Sequence, residues 1–145
     1  MLANLQKTSP KEITEAAAPE LKNRGLLLTG LIIAMLFGAL DGTIVGTAMP
    51  RIVGEFGGLG LMTWLTTAYM LTSTVVVPIA GKLADLIGRR VIYVTGLIIF
   101  IVASALCGMS QNMTELILFR GLQGLGGGIM MPMAMIIIGD LFTGK

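Results

Sequence analysis

The chain has 145 residues and a net charge of +2, is 54% hydrophobic and only 12% charged, and has a mean hydropathy of +0.88. A soluble domain carries about 25% charged residues, so a water-covered globule is excluded for want of polar surface. The small net charge argues against a nucleic-acid partner, the absence of histidine removes the commonest metal ligand, and one cysteine allows no internal disulfide.

In chain order, residues 1–24 are polar, with Lys7, Lys11, Lys22 and Arg24 among Glu12, Glu15 and Glu20, and Pro10 and Pro19 limit any helix there. They predict a cytoplasmic arm with at most one turn over residues 13–18. Four apolar stretches follow, at about residues 26–49, 62–80, 91–109 and 113–139. About 20 helical residues cross a 30 Å hydrocarbon core, so each is long enough to span. The runs are continuous rather than alternating, which favours helices over barrel strands. The first is too long for a secretory signal and is followed by three more, so it stays in the membrane. The fold class expected is all-α, with four transmembrane helices.

Eight of the ten basic residues flank the odd-numbered sides: the arm, Lys82, Arg89, Arg90 and Lys145. Positive residues stay inside, which places the N-terminus, the loop at residues 81–90 and the C-terminal end in the cytoplasm of a plasma or inner membrane. The connections at residues 50–61 and 110–115 then face outward, with Trp64 as a headgroup anchor. Asn112 and Glu115 are spaced as a capping box for span four. Pro78 and Pro132 favour kinks. Gly38, Gly42 and Gly46, and again Gly124 and Gly128, recur at four-residue steps that let another backbone approach, a packing role preferred to substrate contact.

Two charged groups lie inside the hydrocarbon region, Asp41 and Arg120, while Glu115 falls in the first turn of span four. Each costs about 2.5–3.5 kcal/mol at a helix centre and calls for a partner inside the bundle. Asp41 lies about 12 Å below the outer end of span one and Arg120 about 10 Å into span four from the same side, so the two read as a pair. Asp41 is the only carboxylate inside the hydrocarbon region able to take up a proton; a static brace is the alternative. Gln123, Gly124, Gly127 and Met131 follow Arg120 at three- and four-residue steps, a stripe suited to lining a cavity. Neighbouring methionines suit varied apolar ligands or plain packing.

The segment Gly81-Lys82-Leu83-Ala84-Asp85-Leu86-Ile87-Gly88-Arg89-Arg90 holds an acid and two glycines that anchoring does not explain. It resembles the loop pattern G-x-L-A-D-x-x-G-R-R of the major facilitator superfamily. The run from Leu40 to Pro50 is similar to the first-helix signature of that family's drug/proton antiporter branch with fourteen helices. Leu118 to Gly124, followed by Gly126–Gly128, resembles its fourth-helix motif. The chain departs at Leu86, where a base is common, and at Gly46, where asparagine is usual.

The resemblance covers about residues 26–145 and implies the first part of an N-terminal six-helix bundle, whose partners are the lipid bilayer and further C-terminal helices of the same chain. It implies a secondary active transporter, not an enzyme, with no cofactor or metal, exporting small amphipathic compounds against protons. In the family, the loop aspartate helps close the inner side. An exporter of a specific metabolite, osmolyte or siderophore, and a non-transporting scaffold or receptor subunit, are the alternatives. Asp85, Arg89 and Asp140 are expected to form a charge cluster at the cytoplasmic gate, with Arg89 between the two acids. Gly81, Gly88 and Arg90 complete that gate motif.

Overall fold

The computed structural model describes residues 10–143, with side chains from Arg24 onward. Helix α1 runs Pro10–Phe56, α2 Met62–Ile87, α3 Arg89–Met109 and α4 Met113–Thr143, with one 3₁₀ turn at Leu59–Leu61. Among the described residues, four segments are long and apolar enough to cross a membrane: Arg24–Phe56, Leu59–Ile87, Arg89–Met109 and Met113–Thr143. Residues 1–9 of the expected arm, and Lys145, lie outside the described residues.

The helices are longer than the apolar runs that announce them. Pro10 occupies the first helical position, where its missing N–H is no loss, and Ala16–Ala18 favour helix, so the backbone is helical where a single turn was expected. At 1.5 Å per residue, the 31 residues of α4 reach about 46 Å, beyond the hydrocarbon core. In the same way α2 continues through Lys82-Leu83-Ala84-Asp85-Leu86, all residues that a helix accommodates. The expected loop at residues 81–90 therefore shrinks to Gly88, whose φ of 111° is one that a side-chain-bearing residue rarely adopts.

Contacts divide the chain into a unit ending at Ile33 and a second from Ala34 onward. In the first, Thr29 Oγ1 donates to the Gly25 carbonyl at 2.9 Å, satisfying its hydroxyl within its own helix. In the second, α4 lies between α2 and α3 and packs on both. Glycines set this arrangement. A Cβ on Gly124 would come 2.5 Å from the Tyr69 carbonyl oxygen, and one on Gly128 2.5 Å from that of Ser73, so this pair seats α4 on α2. Two residues round the helix, a Cβ on Gly126 would lie 2.5 Å from the Phe100 amide nitrogen on α3. Gly42 and Gly46 have nothing within 4 Å, so only part of the expected first-helix glycine stripe packs.

Asn112 Oδ1 accepts from the Glu115 amide at 2.8 Å, capping α4 as expected, while Glu115 Oε2 reaches back to the Gln111 amide at 3.1 Å. Met49, Leu65, Met113 and Leu116 close this end of the second unit as a buried apolar cluster. Outward faces carry Leu36, Phe37, Leu71, Ile79, Ile98 and Ile101, all exposed. A bilayer is the solvent that accepts such faces.

Candidate charge-coupling site

Arg120 and Gln123 are three residues apart and share a face of α4. Arg120 Nη1 donates to Asp41 Oδ2 on α1 at 2.7 Å and to Gln123 Oε1 at 2.9 Å. Gln123 Nε2 donates to Asp41 Oδ1 at 2.8 Å, closing a ring of three side chains. Both carboxylate oxygens are thus engaged. Arg120 is 5% and Gln123 1% exposed, so the pair is shielded from solvent. The Tyr69 ring of α2 lies under the guanidinium, 4.6 Å from Cζ to its centroid, where its π-face attracts the cation. From α3, the Cys107 thiol donates weakly to Gln123 Oε1 at 3.5 Å. Arg120 Nε is buried without a partner.

The cluster therefore draws on all four helices. Pairing Asp41 with Arg120 makes two charges tolerable inside a membrane. Removing one partner from such a pair costs about 3–5 kcal/mol, because the other charge stays buried. Depth alone brings Asp41 to Arg120, but Tyr69 and Cys107 escape sequence reasoning. The available signal for Tyr69 is that a tyrosine within a span carries a hydroxyl needing a partner.

The stripe below Arg120 separates into three roles. Gln123 joins the charge cluster and, with Asp41, Ser104, Cys107 and Arg120, lines a cavity of about 230 Å³. Gly124 packs on α2 and opens no space. Gly127 and Met131 line an open groove of about 260 Å³ between α2 and α4. On the other side of Tyr69, Gly38, Gly42, Gly46 and Arg120 border a third cavity of about 390 Å³.

Near the far end of α4, Arg89 Nη1 donates to Asp140 Oδ2, and both side chains are about two-fifths exposed, at 42% and 41%. Among the described residues Asp85 has no ion-pair partner, so the expected three-residue cluster is a pair. The reason is Gly88. It ends α2 and turns the chain, so Asp85 and Arg89 do not share the helical turn that four-residue spacing assumes. A Cβ added at Gly81 would meet nothing within 4 Å, and Arg90 forms no ion pair among the described residues.

Four apolar helices around a buried charge cluster define a multi-pass membrane protein in contact with lipid. Residues 31–145 match the Major Facilitator Superfamily, and the chain belongs to it, a family of transporters rather than enzymes. Among its relatives are Multidrug transporter protein MdtP of Bacillus subtilis, 81% identical over 122 residues, which covers 84% of this chain and 23% of that protein. Multidrug resistance protein 3 of the same organism is 46% identical over 116 residues, 80% of this chain and 23% of the relative. Efflux pump dotC of Dothistroma septosporum is 40% identical over 118 residues, 81% of this chain and 20% of the relative. The chain thus spans less than a quarter of the length of these relatives.

Proposed function

We propose that this chain forms the first four helices of a secondary active transporter that exports small amphipathic compounds in exchange for protons. The names of the relatives just given support export of several compounds, and their greater length supports further helices completing the fold. The substrate cavity of such transporters lies between repeats near the bilayer midplane, where Asp41 and Arg120 are expected to lie.

The observation that carries the coupling role is the closed ring of Asp41, Arg120 and Gln123. In it, Asp41 is the proton-accepting group and Arg120 is its ion-pair partner. Protonation cancels the carboxylate charge, weakens its hold on Arg120 and frees α1 to shift against α4. Arg89 and Asp140 pair at the cytoplasmic side as part of the inner gate, with Gly88 making the turn and Gly81, Asp85 and Arg90 flanking it on α2 and α3. The protein sits in the plasma or inner membrane with its N-terminus cytoplasmic, which the distribution of basic residues supports.

The test is Asp41→Asn in the full-length transporter, assayed in vesicles with an imposed proton gradient. Export should fall to background while membrane insertion and yield are unchanged. Export at the wild-type rate would leave Asp41 and Arg120 as a brace. Absence of gradient-driven export in the wild type would favour a non-transporting scaffold.

A further inference from the structure

Pro78 and Pro132 stand inside α2 and α4. A proline has no backbone N–H, so each removes the donor that the carbonyl four residues earlier would use. The carbonyls released belong to Thr74 and Gly128. Both residues line the open groove of about 260 Å³ between the two helices. The backbones meet there: a Cβ on Gly128 would lie 2.5 Å from the Ser73 carbonyl oxygen and 2.7 Å from the Ser73 Cα. Pro50 releases the Gly46 carbonyl in the same way, but Gly46 borders a different cavity.

The groove is rich in acceptors and poor in donors. Ser73 Oγ and Thr74 Oγ1 both donate to the Met70 carbonyl, at 3.0 and 2.7 Å. With their protons committed, these hydroxyls can only accept. Tyr69 supplies the remaining side-chain hydroxyl, and no charged residue lines the groove. Its other walls are apolar, from Val77, Met131 and Pro132. Carbonyls without donors are costly within a membrane and are tolerated where they line a cavity. A ligand that completes this site brings hydrogen-bond donors on one end and an apolar body on the other.

We infer that the groove docks a protonated amine through its N–H bonds, which donate to the Thr74 and Gly128 carbonyls while the apolar body lies along Val77 and Met131. This rests on the export reading above and narrows its substrate class. A quaternary ammonium has the same charge but no N–H, so it cannot make these bonds. The site therefore prefers a primary amine to its trimethylated counterpart.

The experiment uses purified full-length transporter in lipid nanodiscs, with 4-phenylbutylamine and its N,N,N-trimethyl derivative as probes in equilibrium dialysis. Wild type should bind the primary amine at least about tenfold more tightly, the size of one charge-assisted hydrogen bond. Pro132→Ala restores a donor to the Gly128 carbonyl, and Pro78→Ala one to Thr74. Each should weaken binding of the primary amine by about tenfold and change the trimethyl compound by less than about twofold. The wild-type comparison depends on no variant folding. Equal affinity of wild type for the two probes, or equal losses for both in the variants, overturns the site alone. Binding of neither probe overturns the site and counts against the export reading as well.

Discussion

Gly126→Ala should open the seam between α3 and α4. The new Cβ would lie 2.5 Å from the Phe100 amide nitrogen, 2.7 Å from its Cα and 2.9 Å from the Gly96 carbonyl oxygen. All three are backbone atoms and cannot rotate aside. Non-bonded heavy atoms settle at about 3.5–4.0 Å, so the helices must part by about 1 Å. Nor can α4 retreat freely, because Gly124 and Gly128 seat its other side on α2. Overpacking of this kind costs about 1–3 kcal/mol, against which alanine's better helix propensity returns about 0.5–1 kcal/mol. Gly121→Ala is the matched control on the same helix. Its Cβ would meet only the Thr72 methyl at 3.8 Å, an ordinary contact, so the propensity gain should survive. The two variants should therefore move stability in opposite directions and differ by about 2 kcal/mol. The assay is the temperature at which detergent-solubilised full-length protein loses its monodisperse elution peak. A Gly126→Ala protein as stable as wild type, or a Gly121→Ala protein equally damaged, would refute the packing argument.

The Arg89–Asp140 pair is about two-fifths exposed, which limits its worth to about 0–1 kcal/mol. A double-mutant cycle of Arg89→Gln and Asp140→Asn should yield a small favourable coupling, and one of Arg89→Gln with Asp85→Asn none; comparable coupling to Asp85 would contradict the geometry of Gly88. Single cysteines at Gly58 and Asn112 should react with a membrane-impermeant maleimide from outside intact cells, and cysteines at Leu86 and Gly144 only after the cytoplasmic face is exposed. Outside labelling at Leu86 would reverse the orientation.

The four spans and the Asp41–Arg120 pair were legible before any coordinates, and for one reason. A bilayer demands long uninterrupted apolar helices and penalises every unpaired charge, so hydropathy finds the spans and depth along each helix finds the partner. The N-terminal cap at Asn112 was equally readable, being local. What depends on how one helix is rotated against another was not. Gly42 and Gly46 repeat at the same spacing as Gly124 and Gly128, yet the first pair borders a cavity while the second holds α4 against α2. Sequence spacing places residues on one face but does not say what that face meets. Tyr69 under Arg120, Cys107 beside Gln123, and Thr74 and Gly128 along one groove are likewise products of helix rotation. The Asp85–Arg89 expectation failed where a regular helix was assumed across Gly88, whose positive φ breaks the periodicity on which spacing arguments rest.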